Sequence, residues 1–320
     1  MNIQKKFRSL VAENAQAMML AAKYLALSHG FVIKKDGLTF LLLQQNKGIK
    51  VSLNHLHYIK DLIEDFNFYF ESVSPTDQSP DGCLISDFSE PRFHTLFGWE
   101  HFAVHFPSLP EPILTSVQYS ELLELSEGET IFDLGSYAGV CAMYFKKEVG
   151  ISGRVISVEP DEINLLSSEI NFQNFSKWFG SAPELINNAV WNRNEKLQFS
   201  VEGNMGSSAT EIIGRSRTTR TVSGITLSEI SRSLNVSRVH AIKADIEGSE
   251  AKAFEDADFF RHHNPRIVFE ADLLGSNKSL HGRAVGHLES YGYNCEVFPQ
   301  VGSRQVLVRA IRENFKFELP

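Results

Sequence analysis

From Thr130 onward, short apolar runs alternate with helical stretches, and no other feature constrains the fold of this chain as much. Ile131 to Leu134, Arg154 to Val158, Leu185 to Val190, Ala241 to Ala244 and Ile267 to Phe269 read as strands. Val140 to Lys147, Glu162 to Asn174, a stretch near Glu250 to Asp256, and Leu280 to Ser290 read as helices. In the second of these, Ile163, Leu166, Ile170 and Asn174 recur at helical spacing. Such alternation specifies a parallel sheet covered by helices on both faces. Cys295 to Phe298 and Gln305 to Ala310 have no helix between them, which predicts an antiparallel hairpin at one edge.

The first hundred or so residues follow a different rhythm. Phe7, Leu10, Val11, Asn14, Ala17, Met18, Ala21 and Leu25 keep a helical period that Gly30 stops. Phe31 to Lys34 and Leu38 to Leu43 flank Lys35-Asp36-Gly37, a hairpin signal. A second helix is expected over Asn54 to Asp65, with Leu56, Ile59, Leu62, Ile63 and Phe66 on one face. Residues 74 to 91, with Pro75, Pro80, Asp81-Gly82 and Pro91, carry loop chemistry. Pro107, Pro110 and Pro112 form a rigid connector. The expected division is an N-terminal α+β region over 1–112 and an α/β domain over 113–320. For the first, the expected roles are covering the cleft, contacting an acceptor, or pairing two copies as a homodimer.

Composition narrows the function classes. The 320 residues sum to a net charge of −8, which argues against a nonspecific nucleic-acid partner. Three cysteines, Cys83, Cys141 and Cys295, lie far apart without a C-x-x-C pair, so neither a disulfide scaffold nor a structural zinc site is expected. No apolar run reaches the length of a membrane span. The start carries Lys5, Lys6 and Arg8, but Glu13 and Asn14 interrupt any leader-like apolar core. A cytoplasmic protein is the expectation.

Three strand ends concentrate the chemistry. Asp133-Leu134-Gly135-Ser136-Tyr137-Ala138-Gly139 joins the first strand to its helix, where glycines admit a ligand close to the backbone. A dinucleotide fold calls for G-x-G-x-x-G there, to meet pyrophosphate. Tyr137 stands in place of the second glycine, and Asp133 adds negative charge, so a ligand with a positive centre and no phosphate fits better. S-adenosylmethionine is such a ligand. Glu159 ends the second strand and is placed to accept hydrogen bonds from both hydroxyls of a ribose, with Pro160 turning the chain. Asn188-Ala189, at the expected end of the third strand, would flank the adenine.

The third cluster is Lys243-Ala244-Asp245-Ile246-Glu247-Gly248-Ser249-Glu250. Asp245 and Glu247 are candidates to take a proton from an attacking hydroxyl, or to hold the amino group of the ligand. Lys243 is expected to position one of those carboxylates or to form a structural ion pair. Glu250 has the simpler reading of an acid at a helix start. Asp245, Glu270 and Asp272 could together bind a hard cation such as Mg²⁺, although independent surface carboxylates are the plainer reading.

These residues resemble the FkbM family of S-adenosylmethionine-dependent methyltransferases. The likeness spans about residues 115 to 310. It rests on Phe132-Asp133-Leu134-Gly135-Ser136-Tyr137-Ala138-Gly139, on Val158-Glu159-Pro160-Asp161 and on Ile242-Lys243-Ala244-Asp245-Ile246-Glu247-Gly248-Ser249-Glu250. Pro265-Arg266-Ile267-Val268-Phe269-Glu270 and Gly206-Ser207-Ser208 add to it. The resemblance implies a Rossmann-like sheet of seven strands in the order 3-2-1-4-5-7-6, the last antiparallel. It also implies O-methylation, typically of a sugar or polyketide hydroxyl. Two positions depart from the family pattern: Ser228 follows Thr226-Leu227 where an acid is usual, and Ala271-Asp272 follows Glu270 where a histidine is common.

On this reading Gly135, Ser136, Tyr137, Gly139, Asp133, Glu159, Pro160, Asn188, Ala189 and Asp245 contact the cofactor, and Asp245, Glu247 and Lys243 serve catalysis. Eleven histidines offer rival bases, among them His55, His94, His105 and His281. Arg215, Arg217 and Arg220 lie in a polar stretch that could bind an anionic acceptor group. A nitrogen, protein or lipid-linked acceptor, a nucleoside-binding module without chemistry, and an NAD-type enzyme remain the alternatives, because one sheet hosts many activities.

Overall fold

A computed structural model describes residues 15–200, 208–209, 219–271, 278–303 and 305–312. The chain divides into two compact units, Met1–Pro112 and Ile113–Pro320.

In the first unit, helix α1 (Ala15–Ser28) leads into strands β1 (Val32–Asp36), β2 (Thr39–Gln44) and β3 (Lys47–Ser52), an antiparallel meander. Asp36 pairs with Thr39, so the first hairpin turns on Gly37-Leu38, one residue later than the Lys35-Asp36-Gly37 signal. The helix expected over 54–65 is split into a 3₁₀ turn (Leu53–Tyr58) and α2 (Ile59–Glu64), followed by α3 (Phe66–Phe70). Its apolar face is still buried as a set: Leu56, Ile59, Leu62, Ile63 and Phe66.

The segment read as loop contains two strands, β4 (Asp77–Gln78) and β5 (Leu84–Phe88). The second runs parallel to β3, a pairing between distant segments that local turn residues do not announce. Strands β6 (Arg92–Leu96) and β7 (Trp99–Phe106) form a hairpin. Trp99 and Phe106 are buried, whereas Phe93 and Phe97 are exposed.

The second unit opens with α4 (Ile113–Leu123), then β8 (Thr130–Leu134), α5 (Val140–Val149), β9 (Arg154–Val158), α6 (Glu162–Phe179) and β10 (Glu184–Ile186). An excursion follows: β11 (Ala189–Val190), β12 (Lys196–Ser200), β13 (Ser208–Ala209) and β14 (Thr219–Ile225) build a small separate sheet. The chain then runs through α7 (Leu227–Ser233), β15 (Ala241–Ala244), α8 (Glu250–Ala253), α9 (Ala257–His263), β16 (Arg266–Ala271), α10 (Lys278–Ser290), β17 (Asn294–Pro299) and β18 (Val306–Ile311).

The main sheet is ordered β10-β9-β8-β15-β16-β18-β17. Counted along the chain within this sheet, that is 3-2-1-4-5-7-6. The pairs from β10 to β16 are parallel, and β18 is antiparallel to both neighbours. Phe132, Leu134, Ile156, Val158, Ile242, Ala244, Ile267 and Phe269 bury a continuous core. The chain leaves β8 on one side for β9 and on the other for β15, and the crevice at such a switch lies beyond the carboxyl ends of the strands.

Two expectations change here. The third strand stops at Ile186, and Ala189-Val190 pair with β14 in the small sheet. The apolar stripe read on α6 does not face inward either. Ile163 and Leu166 are exposed, while Asn164, Ser167, Ser168 and Asn171 are buried together with Phe172 and Phe175. The helix turns a polar face inward because the glycine turn beside it needs hydrogen-bond partners.

Candidate cofactor and acceptor site

The turn after β8 is held by hydrogen bonds at nearly every peptide. Gly135 and Ser136 donate their N–H groups to the Val158 carbonyl at 2.9 and 3.3 Å. The Tyr137 N–H reaches Glu159 Oε2 at 2.9 Å. Ser168 Oγ donates to the Tyr137 carbonyl at 2.7 Å, and Asn171 Nδ2 to the Ala138 carbonyl at 2.8 Å. Tyr137 holds a left-handed φ of 50° and is buried. Such a backbone costs a non-glycine residue about 1–2 kcal/mol, which the surrounding bonds offset.

Two glycines of the motif cannot be anything else. Gly135 has φ 75°, and a Cβ there would lie 1.9 Å from the Asp245 carbonyl oxygen. The glycine turn and the strand end at Asp245 are therefore in backbone contact. Gly139 has φ 78°, and its Cβ would lie 2.4 Å from the Phe172 ring, which sets the approach of α6.

Glu159 lies at the end of β9 and is 4% exposed. Its two oxygens accept the Tyr137 and Asp161 N–H groups, each at 2.9 Å. Burial is the main cause that pushes its carboxyl up from 4.5 to about 8. Asp161 in turn caps α6, accepting the Ile163 N–H at 2.9 Å. Pro160 joins Glu162, Asn187, Arg220, Thr221, Val222 and Ser223 around a polar pocket beside this strand end. Arg220 and Glu162 form an ion pair there. Asn187, not Asn188, lines that pocket. The Asn188 amide donates to the Ser223 carbonyl at 3.0 Å, and Ala189 is buried in the core of the small sheet.

Asp133 and Lys243 are the penultimate residues of β8 and β15, side by side in register, and both are buried. Lys243 Nζ lies 3.4 Å from Asp133 Oδ1 and donates to the Gly135 carbonyl at 2.7 Å. Ser157 Oγ donates to Asp133 Oδ2 at 3.3 Å. Desolvation raises the Asp133 carboxyl above its ordinary value, opposed by the Lys243 ammonium. Lys243 is thus paired with Asp133 inside the sheet. Its ammonium is directed at Asp133 and at the underside of the glycine turn, because a lysine inside a parallel sheet must be paired.

Asp245 and Glu247 are half-buried just past the end of β15, and Glu247 has a left-handed φ of 52°. Ala244 pairs with Phe269, so Asp245 and Glu270 follow one another on adjacent strand ends. Glu250 is buried. Its Oε1 accepts the Ile246 N–H at 2.9 Å, and its Oε2 lies 3.8 Å from His281 Nε2. Burial pushes Glu250 up to about 7, with Asp245 adding to the rise. Glu270 keeps part of its surface, yet desolvation of its carboxylate end, then Asp245 and Glu247, push it well above the ordinary range.

Among the described residues no three His, Cys, Asp or Glu side chains are grouped to hold a metal ion. Asp272, Arg215 and Arg217 lie outside the described residues, as do Gly206-Ser207. At the departure from the family pattern, Ser228 donates its N–H and its hydroxyl to the two Asp256 oxygens, each at 2.8 Å. A carboxylate is thus present beside that position, delivered from another segment.

Ser168, Asn171 and Asn187 carry no motif signal, and Asp161 stands in the Val158-Glu159-Pro160-Asp161 motif without a role read for it. The polar spacing 164–168–171 on α6 was the available clue, since a helix covering a sheet normally turns apolar residues inward. No helix among the described residues is long and apolar enough to cross a membrane.

Several solved structures are similar in fold. An O-methyltransferase from Bacillus cereus in complex with SAH is 11% identical, with TM-score 0.42, over 63% of this chain and 82% of that one. Aeropyrum pernix fibrillarin with natively bound S-adenosyl-L-methionine is 14% identical, with TM-score 0.41, over 75% and 98%. A precorrin-6y C5,15-methyltransferase from Geobacter metallireducens is 15% identical, with TM-score 0.39, over 62% and 87%. Comparison with curated protein sequences gave no match. The model of the methyltransferase FkbM domain matches residues 133–295, more than half of the chain, from the aspartate of the glycine turn to the edge hairpin. The chain belongs to the FkbM family of S-adenosylmethionine-dependent methyltransferases.

Proposed function

We propose that this chain is an O-methyltransferase that acts on a hydroxyl of a sugar, glycan or other secondary metabolite, with S-adenosylmethionine as methyl donor. The observation that carries the cofactor reading is the bond from the Tyr137 amide to Glu159. In a dinucleotide fold the amides of this turn face a phosphate. Here one of them is taken by the Glu159 carboxyl and is not available to a phosphate, whereas a ribose hydroxyl can still donate to that carboxyl.

The residues present fit that ligand. Each Glu159 oxygen accepts one backbone N–H and keeps capacity for a ribose hydroxyl. Ser136 Oγ is buried and has no hydrogen-bond partner among the described residues, so it is free to meet the amino-acid end. Pro160, Asn187 and Val222 line the pocket next to Glu159 and would receive the adenine. Gly135 and Asp245 bring backbone and carboxylate to the middle of the crevice.

When bound, S-adenosylmethionine supplies an electrophilic methyl group on a sulfonium. The protein has to align a hydroxyl and remove its proton. Asp245 and Glu247 stand at the strand end for that task, and Lys243 keeps the turn opposite them in place through Gly135 and Asp133. Mg²⁺ has no assigned role in this scheme.

Calorimetric titration with S-adenosylhomocysteine, with NAD in parallel, tests the cofactor reading. Micromolar binding of the homocysteine product alone, weakened at least tenfold in Glu159→Gln, is the expected result. Binding of NAD instead would reject it. Methyl transfer to hydroxyl acceptors, reduced at least a hundredfold in Asp245→Asn or Glu247→Gln, is expected for the chemistry. Unchanged turnover in both variants would remove these carboxylates from the reaction.

A further inference from the structure

We propose that Arg220, held in place by Glu162, clamps the nucleobase of the cofactor in the pocket beside Glu159, with its guanidinium plane against the base. This rests on the cofactor reading above and deepens it, because it names the residue that selects for the base.

The pocket has two walls. Pro160 and Glu162 stand on one side, at the end of β9 and the start of α6. Arg220, Thr221, Val222 and Ser223, four consecutive residues of β14, make the other, and Asn187 completes the lining. The second wall is firm. Strand β14 pairs with β12, Thr221 Oγ1 accepts from Gln198 Nε2 at 3.0 Å, and Ser223 Oγ accepts from Lys196 Nζ at 2.7 Å.

Two straps tie this wall to the side of the main sheet, one at each end of the run. At one end the Asn188 amide donates to the Ser223 carbonyl at 3.0 Å, and Ala189-Val190 pair with Gly224-Ile225. At the other end Arg220 reaches across to Glu162. The first strap involves backbone and is partly buried. The second joins two side chains that are both more than half exposed. An exposed ion pair adds little to the stability of a fold. What this pair does fix is the place of the guanidinium, at the rim of the pocket between β14 and the corner Pro160-Asp161-Glu162.

Arginine suits that place. Its plane stacks on an aromatic ring, and its charge meets the electron-rich face of the base. A lone cation would oppose the sulfonium of the cofactor, but the Glu162 carboxylate neutralises it and leaves the plane available. Pro160 and Val222 supply apolar surface in the same pocket for a flat ring.

The test titrates the full chain by calorimetry with two ligands. S-adenosylhomocysteine carries the base, and S-ribosylhomocysteine keeps the ribose and the amino-acid end without it. Arg220→Met keeps the length of the side chain and removes its plane and charge. It is expected to weaken S-adenosylhomocysteine about fivefold or more and to leave S-ribosylhomocysteine unchanged. Arg220→Lys restores the charge without the plane, so less than half of the lost affinity should return. Glu162→Gln should weaken S-adenosylhomocysteine about twofold to threefold on its own and not at all beside Arg220→Met, as befits a residue that acts by holding the guanidinium. Melting temperatures within about 2 °C of the parent chain are expected for each variant, because the pair is exposed. Equal weakening of both ligands in Arg220→Met, or of neither, would overturn the proposal, and so would full recovery by lysine. Failure of the parent chain to bind S-adenosylhomocysteine removes the cofactor reading and this proposal together, whereas binding that Arg220→Met leaves intact removes only this one.

Discussion

The two sides of the crevice solve opposite problems. On the β8–β9 side the backbone of the glycine turn is stapled: Tyr137 to Glu159 and Ser168, Ala138 to Asn171, and Gly135 to Lys243. On the β15–β16 side, Glu250 Oε2 and Gln300 Oε1 are buried without a hydrogen-bond partner among the described residues. The first side is preorganised for a ligand whose shape is set. The second leaves buried polar atoms unmet, which an incoming group can satisfy.

The sharpest way to break this contrast is at the seam. Lys243→Met removes the cation that compensates Asp133 beneath the turn and leaves a buried carboxylate alone. Removing one partner of a buried pair costs about 3–5 kcal/mol. Urea unfolding is expected to show a loss of that size, and adding Asp133→Asn is expected to recover most of it. A loss below about 1 kcal/mol would mean that the pair behaves as an exposed one and that the turn is held without it.

Next in size is the contact between the two sides. Gly135→Ala would place a methyl against the Asp245 carbonyl in a left-handed backbone. Strain and overpacking together predict a loss on the order of 3 kcal/mol. Gly180 is the control: its φ is 84° but nothing lies within 4 Å of its Cβ, so Gly180→Ala should cost only about 1 kcal/mol. Equal losses in urea would show that the close approach of the two motifs contributes nothing.

Much of this arrangement is legible in the sequence, for reasons tied to particular residues. A parallel strand buried on both faces leaves a short apolar run, and Arg154–Val158 and Ala241–Ala244 stand where such runs occur. The glycines and acids of the site sit at strand ends, where the ligand crevice of such a sheet lies. Partners chosen by tertiary context are not legible. Lys243 reads as an acceptor-side residue until Asp133 is seen beside it in register. The inward face of α6 reads as outward because its residues are polar for the sake of the turn. Strand β5 is concealed among Pro75, Pro80 and Pro91, since its partner β3 lies some 35 residues earlier.

Acidity offers a third comparison. Glu159 and Glu250 are raised to about 8 and about 7 in the folded chain, from an ordinary 4.5. A carboxyl raised by folding contributes stability that is fully present below the unfolded value and is lost as pH rises through the folded one. The ligand-free protein should therefore lose stability between about pH 5 and pH 8 and level off above that range. Glu159→Gln should flatten the upper part of the slope, and Glu250→Gln the lower. A ribose that donates to Glu159 favours its ionised form, so homocysteine binding near pH 7 should release a proton. The calorimetric heat would then depend on the ionisation heat of the buffer. A heat independent of buffer would mean that Glu159 is already ionised before the ligand arrives.

The smallest expected effect is also the most specific to the stapled side. Ser168→Ala removes one hydrogen bond to the Tyr137 carbonyl, worth about 1 kcal/mol. Some of that loss should appear as weaker binding, because the Tyr137 amide that meets Glu159 belongs to the same turn. If the turn is preorganised as a unit, Ser168→Ala and Asn171→Ala should be non-additive in homocysteine affinity, since either deletion frees the same few peptides. If each staple acts alone, the two losses add within about 0.5 kcal/mol. A double-mutant cycle in affinity therefore decides whether the cofactor side is one rigid element or a set of independent bonds.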